Sequence, residues 1–183
     1  MPLSKYDSIP VVMDIVDEEK PRTVLDVGIG MGLWGAILRG NLDWADERYI
    51  KDEYQEQWRT IDGIEIFEGY HNPIWDYCYD TIKIGNVVDL ITEVPQSEYT
   101  LILMADILEH LNDEDKKFVI SEACKKTGLY TIVVSPTEFH QNNAFLEINP
   151  HEKHLSVVGP EDFPDGTKQI IAREQNIFIY RKF

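Results

Sequence analysis

Val24-Leu25-Asp26-Val27-Gly28-Ile29-Gly30-Met31-Gly32 decides the fold, because it joins a short apolar strand to a glycine-rich bend that opens a helix. Thr23 to Val27 has the β-branched, apolar character of a buried strand, and Leu33 to Arg39 reads as a helix with Gly40 as its stop. Glycine adopts backbone angles that other residues resist, so the bend between them lets main chain approach a ligand closely. Two phosphate cradles are disfavoured here. A dinucleotide fingerprint needs glycine where Leu33 stands, and a P-loop needs a Gly-Lys-Ser/Thr end that is missing. An acid, Asp26, instead precedes alternating glycines, which suits a ligand with a positive centre or an amine near its backbone; a sulfonium amino acid fits that description.

Working outward, Ile9, Val12, Met13 and Val16 lie at helical spacing before Pro21, and Ala45 to Trp58 reads as a more exposed helix. Ile61 to Ile66, Thr81 to Ile84, Tyr99 to Ala105 and Leu129 to Val134 are strand candidates rich in Ile, Val and Leu, mostly apolar on both faces. Asp113 to Thr127 opens with acids, closes with Lys125 and Lys126, and has Gly128 as its expected cap. Lys168 to Arg173 and Asn176 to Arg181 are close enough that only a tight hairpin joins them. Strands separated by helices and apolar on both sides imply an α/β, doubly wound, mostly parallel seven-stranded Rossmann-like sheet finished by a C-terminal antiparallel hairpin. Ligands in such sheets bind beyond the carboxyl ends of the strands, where the strand order reverses.

The 183 residues fit one domain spanning 1–183, with no repeat or linker to divide it. A formal charge of −16 repels phosphate backbones and anionic bilayers, so nucleic acid and membrane are disfavoured as partners. Lys116, Lys117, Lys125 and Lys126 then read as a solvated helix face. Cys78 and Cys124 have no paired spacing, which removes a disulfide framework and a cysteine zinc cluster. With no long apolar run and with acids in the first twenty residues, the expected location is cytoplasmic.

Asp26, Gly28, Gly30 and Gly32 match the Asp-x-Gly-x-Gly-x-Gly motif of the class I S-adenosylmethionine-dependent methyltransferases, which the chain resembles over nearly its whole length. That resemblance implies S-adenosyl-L-methionine as cofactor, held by Asp26, Gly28, Ile29, Gly30, Gly32, Glu65, Ile66, Asn86 and Asp106. Glu65, ending the second strand, would take the ribose hydroxyls, and a carboxylate can accept from both. Asn86 stands where the family usually has an acid beside the adenine amine. Met104 to Leu111 resembles the family's fourth motif. Within it, Asp106, Glu109 and His110 lie at i, i+3, i+4, which on a helical turn would direct all three to one patch. This pattern resembles the metal motif of ubiquinone-pathway O-methyltransferases and small-RNA terminal 2'-O-methyltransferases, and the stretch from His154 to Phe163 resembles the segment that carries a further histidine there. The resemblance thus implies Asp106, Glu109, His110 and His154 as ligands for Mg²⁺ or Mn²⁺, and Asp106, His110 and His154 as catalytic residues. The loop from Ser135 to Val158, with His140, Asn142, Asn143, Asn149 and His151, would meet the substrate. Residues Asn41 to Thr60 exceed a compact unit and read as a flanking helix, with a lid over the substrate as the alternative.

The implied activity is methyl transfer to a small-molecule acceptor, on a hydroxyl in preference to nitrogen. Two alternatives stay open: a non-catalytic cofactor- or partner-binding domain, and a nucleic-acid 2'-O-methyltransferase. Short members of the family often recruit help over the site, so a homodimer or partner subunit is also implied.

Overall fold

The computed structural model describes residues 5–44, 59–139 and 147–182. The chain runs α1 (Ile9–Glu19), β1 (Thr23–Val27), α2 (Leu33–Arg39), β2 (Thr60–Glu65), α3 (Pro73–Cys78), β3 (Thr81–Ile84), α4 (Val87–Glu93), β4 (Leu101–Ala105), α5 (Asp113–Lys126), β5 (Tyr130–Pro136), β6 (Lys168–Ala172) and β7 (Gln175–Arg181). The strands form one seven-stranded sheet in the order β3-β2-β1-β4-β5-β7-β6. β1 to β5 pair in parallel, while β7 runs antiparallel to both β5 and β6. The expected Rossmann-like architecture and terminal hairpin are both present.

Alternation along each strand explains why helices cover both faces. Val24, Leu101, Leu103, Ile132 and Val134 enter a core shared with Val12 and Val16 of α1, Trp34 and Leu38 of α2, and Trp75 of α3. Their neighbours Leu25, Ile102, Met104 and Val133 enter a second core with Val87 and Ile91 of α4 and Val119, Ile120 and Ala123 of α5. Only a strand buried on both sides reads as a continuous apolar run. β3 departs from that expectation: Thr81, Lys83 and Ile84 are exposed because it is the sheet edge. Both cysteines are buried and free. No helix among the described residues is long and apolar enough to cross a membrane.

Three local expectations need correction. Gly40 does not stop α2; its backbone stays helical (φ −60°, ψ −43°) and the chain winds into a wider turn over Gly40–Trp44. Gly128 does not cap α5. Thr127 does so, donating its N–H to Ala123 and its hydroxyl to the Tyr130 carbonyl, while Gly128 passes so close to Tyr99 that an added Cβ would lie 3.1 Å from its carbonyl oxygen. Lys116 is not solvated: it is 2% exposed, and its ammonium reaches Asp113 at 3.0 Å, Asp162 at 3.1 Å and the Val157 carbonyl at 2.6 Å. A buried ammonium needs such partners, and here they tie α5 to residues 157–162. The expected helix Ala45–Trp58, and with it most of the Asn41–Thr60 segment, lies outside the described residues.

Candidate functional site

The parallel strands aim their carboxyl ends at one edge of the sheet, and a cavity of about 340 Å³ opens there. That falls within the size range of small-molecule sites. The glycine bend forms its floor. Gly28, Gly30 and Gly32 have φ of +76°, +51° and +85°, in the left-handed region where a side chain is strained. A Cβ on Gly28 would also lie 2.9 Å from Ile107, and one on Gly32 2.9 Å from Ile74.

The bend is clamped from below by residues that its own sequence does not announce. Gly28 N–H donates to the Ile64 carbonyl at 2.8 Å, and Gly30 N–H to Glu65 Oε2 at 2.9 Å. Trp75 Nε1 donates to the Gly30 carbonyl, and Asn72 Nδ2 to the Met31 carbonyl. Tyr79 hydroxyl accepts from Gly35 N–H at 3.0 Å and donates to Asp26 Oδ2 at 2.6 Å. α3, six residues long, thus holds the bend through Trp75, with Asn72 just before it and Tyr79 just after it.

Glu65 is 5% exposed and lines the cavity. Besides Gly30, it accepts from Ile66 N–H at 3.0 Å and Phe67 N–H at 2.9 Å, both on Oε1. A carboxylate has about four acceptor positions, so these three bonds leave one on Oε2 for a ligand hydroxyl. Burial raises the Glu65 carboxyl above its ordinary range against the pull of those three amides. The idea that both ribose hydroxyls meet a free carboxylate is therefore altered: Glu65 is first the post that fixes the glycine bend.

The remaining expected residues divide. Gly28, Ile29, Gly30, Ile66, Asn86, Asp106 and His110 line the cavity with Glu65. Asn86 also caps α4, its Oδ1 accepting from Val88 N–H at 3.0 Å. Asp26, Gly32, Glu109 and His154 do not line it. Asp26 is 1% exposed beneath the bend, with Oδ1 lacking a partner among the described residues; burial, helped by Glu65 and opposed by Tyr79, raises its carboxyl to about 7. Its placement corrects the expectation of direct ligand contact.

The proposed metal set also separates. Ligand atoms of Glu109, His110 and His154 all lie within 4.8 Å of one another, but Asp106 is not among them. The helical-turn argument fails because the turn is Leu108–His110 alone, and Asp106 precedes it with φ +53°. Asp106 Oδ1 instead accepts from Gln175 Nε2 at 2.9 Å. Gln175, 1% exposed at the start of β7, does not itself line the cavity but holds a residue that does, a role its sequence position does not announce. Burial and the nearby Asp106 charge push the Glu109 carboxyl well up, while burial pushes His110 down against the pull of Glu152. His154 rings meet His110 edge-on at 4.7 Å and Phe139 at 5.9 Å. From the expected substrate loop, Asn149 and His151 line the cavity; His140, Asn142 and Asn143 lie outside the described residues.

The strand order, the antiparallel β7 and the glycine bend at the cavity floor together define the fold that solved S-adenosylmethionine-dependent methyltransferases carry. No family model matches the chain, and no curated protein matches it. Solved structures do. A SAM-dependent methyltransferase from Archaeoglobus fulgidus aligns with a TM-score of 0.56 and 14% identity over 94% of each chain. N-methyltransferase NodS from Bradyrhizobium japonicum WM9 aligns at 0.59 and 8% identity over 95% of this chain and 93% of its own. Magnesium protoporphyrin IX methyltransferase from Synechocystis PCC 6803, solved with bound SAH, aligns at 0.60 and 14% identity over 97% and 82%. At such identities the likeness is one of fold.

Proposed function

We propose that residues 1–183 act as one methyltransferase domain that moves a methyl group from S-adenosylmethionine to a hydroxyl of a small acceptor. One observation carries this reading: the cavity at the carboxyl edge is floored by Gly28 and Gly30 of a left-handed glycine bend, with a buried carboxylate, Glu65, anchoring it. Bound there, the cofactor would supply an electrophilic methyl on a sulfonium that leaves as a neutral thioether. The chain's own part is to hold the acceptor in line and exclude water. Gly28 and Gly30 present main chain at close range, Glu65 offers its remaining acceptor position, and Ile29, Ile66 and Ile107 supply apolar wall.

The acceptor side favours oxygen. A hydroxyl must lose its proton, and His110, kept neutral by burial, is an imidazole able to take one. In place of that proton-taking role, Glu109, His110 and His154 would hold a divalent ion, His110 through the one ring nitrogen not used on the Lys153 carbonyl, and the buried Oε2 of Glu109, which has no hydrogen-bond partner among the described residues, fits that use; two imidazoles favour Mn²⁺ over Mg²⁺. Such an ion would lower the pKa of an acceptor hydroxyl. Glu65, Asp106, Asp115 and Glu152 line the cavity against one exposed ammonium, Lys153, so neutral or cationic acceptors are favoured over anionic ones.

Titration calorimetry with S-adenosylhomocysteine tests the reading. Ligand at a hundred times Kd should add ~2.7 kcal/mol of stability, raising Tm by roughly 5–10 °C for a chain of this size. The absence of both binding heat and a Tm shift at millimolar ligand would overturn it.

A further inference from the structure

We infer that Tyr70, Asn149 and Glu152 form a polar latch that fixes residues 149–156 across the cavity, making Tyr70 and Glu152 positioning residues for the acceptor-side histidines. This inference rests on the proposed methyl transfer at the same cavity. Tyr70 hydroxyl donates to Glu152 Oε1 at 2.7 Å and accepts from Asn149 Nδ2 at 3.1 Å. All three side chains are at least nine-tenths buried, and all three line the cavity. They come from segments about 80 positions apart, so the bonds join two separate walls.

Each side of the latch is itself fixed. Tyr70 lies on the short turn Glu68–Tyr70 after β2, its ring edge-on to Phe67 at 4.9 Å. Asn72 Nδ2 bridges the Tyr70 and Met31 carbonyls, so Tyr70 is tied directly to the glycine bend. Burial raises the Tyr70 phenol further above its ordinary value, which keeps the donating proton in place. On the opposite wall, Asn149 Oδ1 accepts from His151 N–H and its carbonyl from Glu152 N–H, forming the turn Pro150–Glu152. Further on, Leu155 and Ser156 N–H both donate to the Glu109 carbonyl, at 2.7 and 3.2 Å. The segment therefore has two anchors, Tyr70 at the cofactor end and Glu109 at the acceptor end. His154 sits between them, and its neighbour's carbonyl, on Lys153, accepts from His110 Nδ1 at 3.3 Å.

Removing the Tyr70 hydroxyl strips one anchor and leaves the Glu152 carboxylate and Asn149 amide short of a buried partner. Tyr70→Phe and Glu152→Leu, each of which removes one end of the Tyr70–Glu152 bond, should both speed amide exchange across 147–156 in ligand-free full-length protein. Both should also raise the S-adenosylhomocysteine dissociation rate about tenfold with little change in association. The double variant should show no more than the larger single effect, because both changes open one latch. Parental exchange and parental dissociation in Tyr70→Phe, or additive effects in the double variant, would overturn the latch. A merely structural role would lower Tm in both variants while leaving the dissociation rate at the parental value, which also overturns it. If the parent chain itself binds no S-adenosylhomocysteine, the methyltransferase reading and the positioning role fail together, while faster exchange at 147–156 would still report the physical latch.

Discussion

Glu65→Gln isolates the link between the glycine bend and cofactor binding. The substitution keeps the shape of the side chain but replaces one acceptor oxygen with an NH₂ group. Glu65 now serves three backbone amides, at 2.9, 3.0 and 2.9 Å. The least harmful orientation keeps the amide oxygen on Ile66 and Phe67 and turns the NH₂ towards Gly30 N–H, where two donors oppose each other. A charge-assisted bond is worth ~1.5–3 kcal/mol, and the free acceptor position on Oε2 disappears with it. S-adenosylhomocysteine affinity should therefore fall roughly ten- to hundredfold, since each ~1.4 kcal/mol is a factor of ten. Calorimetric titration of parent and variant reads this directly, with thermal unfolding followed in parallel to confirm that the variant remains folded. A cooperatively folded Glu65→Gln protein whose affinity lies within twofold of the parent refutes the reasoning, because neither the anchoring of the bend nor the ribose contact would then matter to binding.

Three further outcomes are expected. Because the folded chain holds the Asp26 carboxyl near 7, this group contributes stability that is fully present below about pH 4 and lost as pH rises through 7, by as much as ~4 kcal/mol; Asp26→Asn should flatten the decline of Tm between pH 4 and 7, and an unchanged slope contradicts the raised carboxyl. Tyr79→Phe leaves Gly35 N–H and Asp26 Oδ2 unpaired in the core and should lower unfolding stability by about 2–4 kcal/mol in urea titrations. Arg39 is 1% exposed and donates to Asp43, Asp80 and the carbonyls of Cys78 and Arg59, so Arg39→Met should destabilise by ~3–5 kcal/mol, with a loss under 1 kcal/mol counting against the buried network.

How far the sequence could be read depended on the distance between partners. β1, β3 and α2 have the bounds expected from apolar runs and the glycine bend, because local composition determines them. The apolar pattern does not reveal α3 and α4, although each starts with a residue that marks a helix entry: Asn72 before Pro73, and Asn86, whose capping role stands beside the cofactor contact that the family resemblance implies. Six- and seven-residue helices carry too few turns for apolar periodicity to show. Asn149 stands out in the sequence only as a polar loop residue, and its pairing with Tyr70 across 79 positions leaves no trace in spacing. The same holds for Gln175 against Asp106, and for the burial of Lys116, which depends on Asp162 and the Val157 carbonyl. Local pattern located the cavity floor; the walls came from long-range pairs.

The bond between Gln175 and Asp106 has a consequence for synthesis. Asp106 sits in a left-handed conformation that disfavours a residue with a side chain by roughly 1–2 kcal/mol, and the amide that steadies its carboxylate belongs to β7, which follows all five parallel strands in the chain. A nascent polypeptide that has delivered everything as far as Pro136 owns the glycine bend and five parallel strands, yet its Asp106 still awaits Gln175. The carboxylate of Asp106 is therefore steadied later in translation than the glycine bend is formed, once the β6–β7 hairpin has emerged.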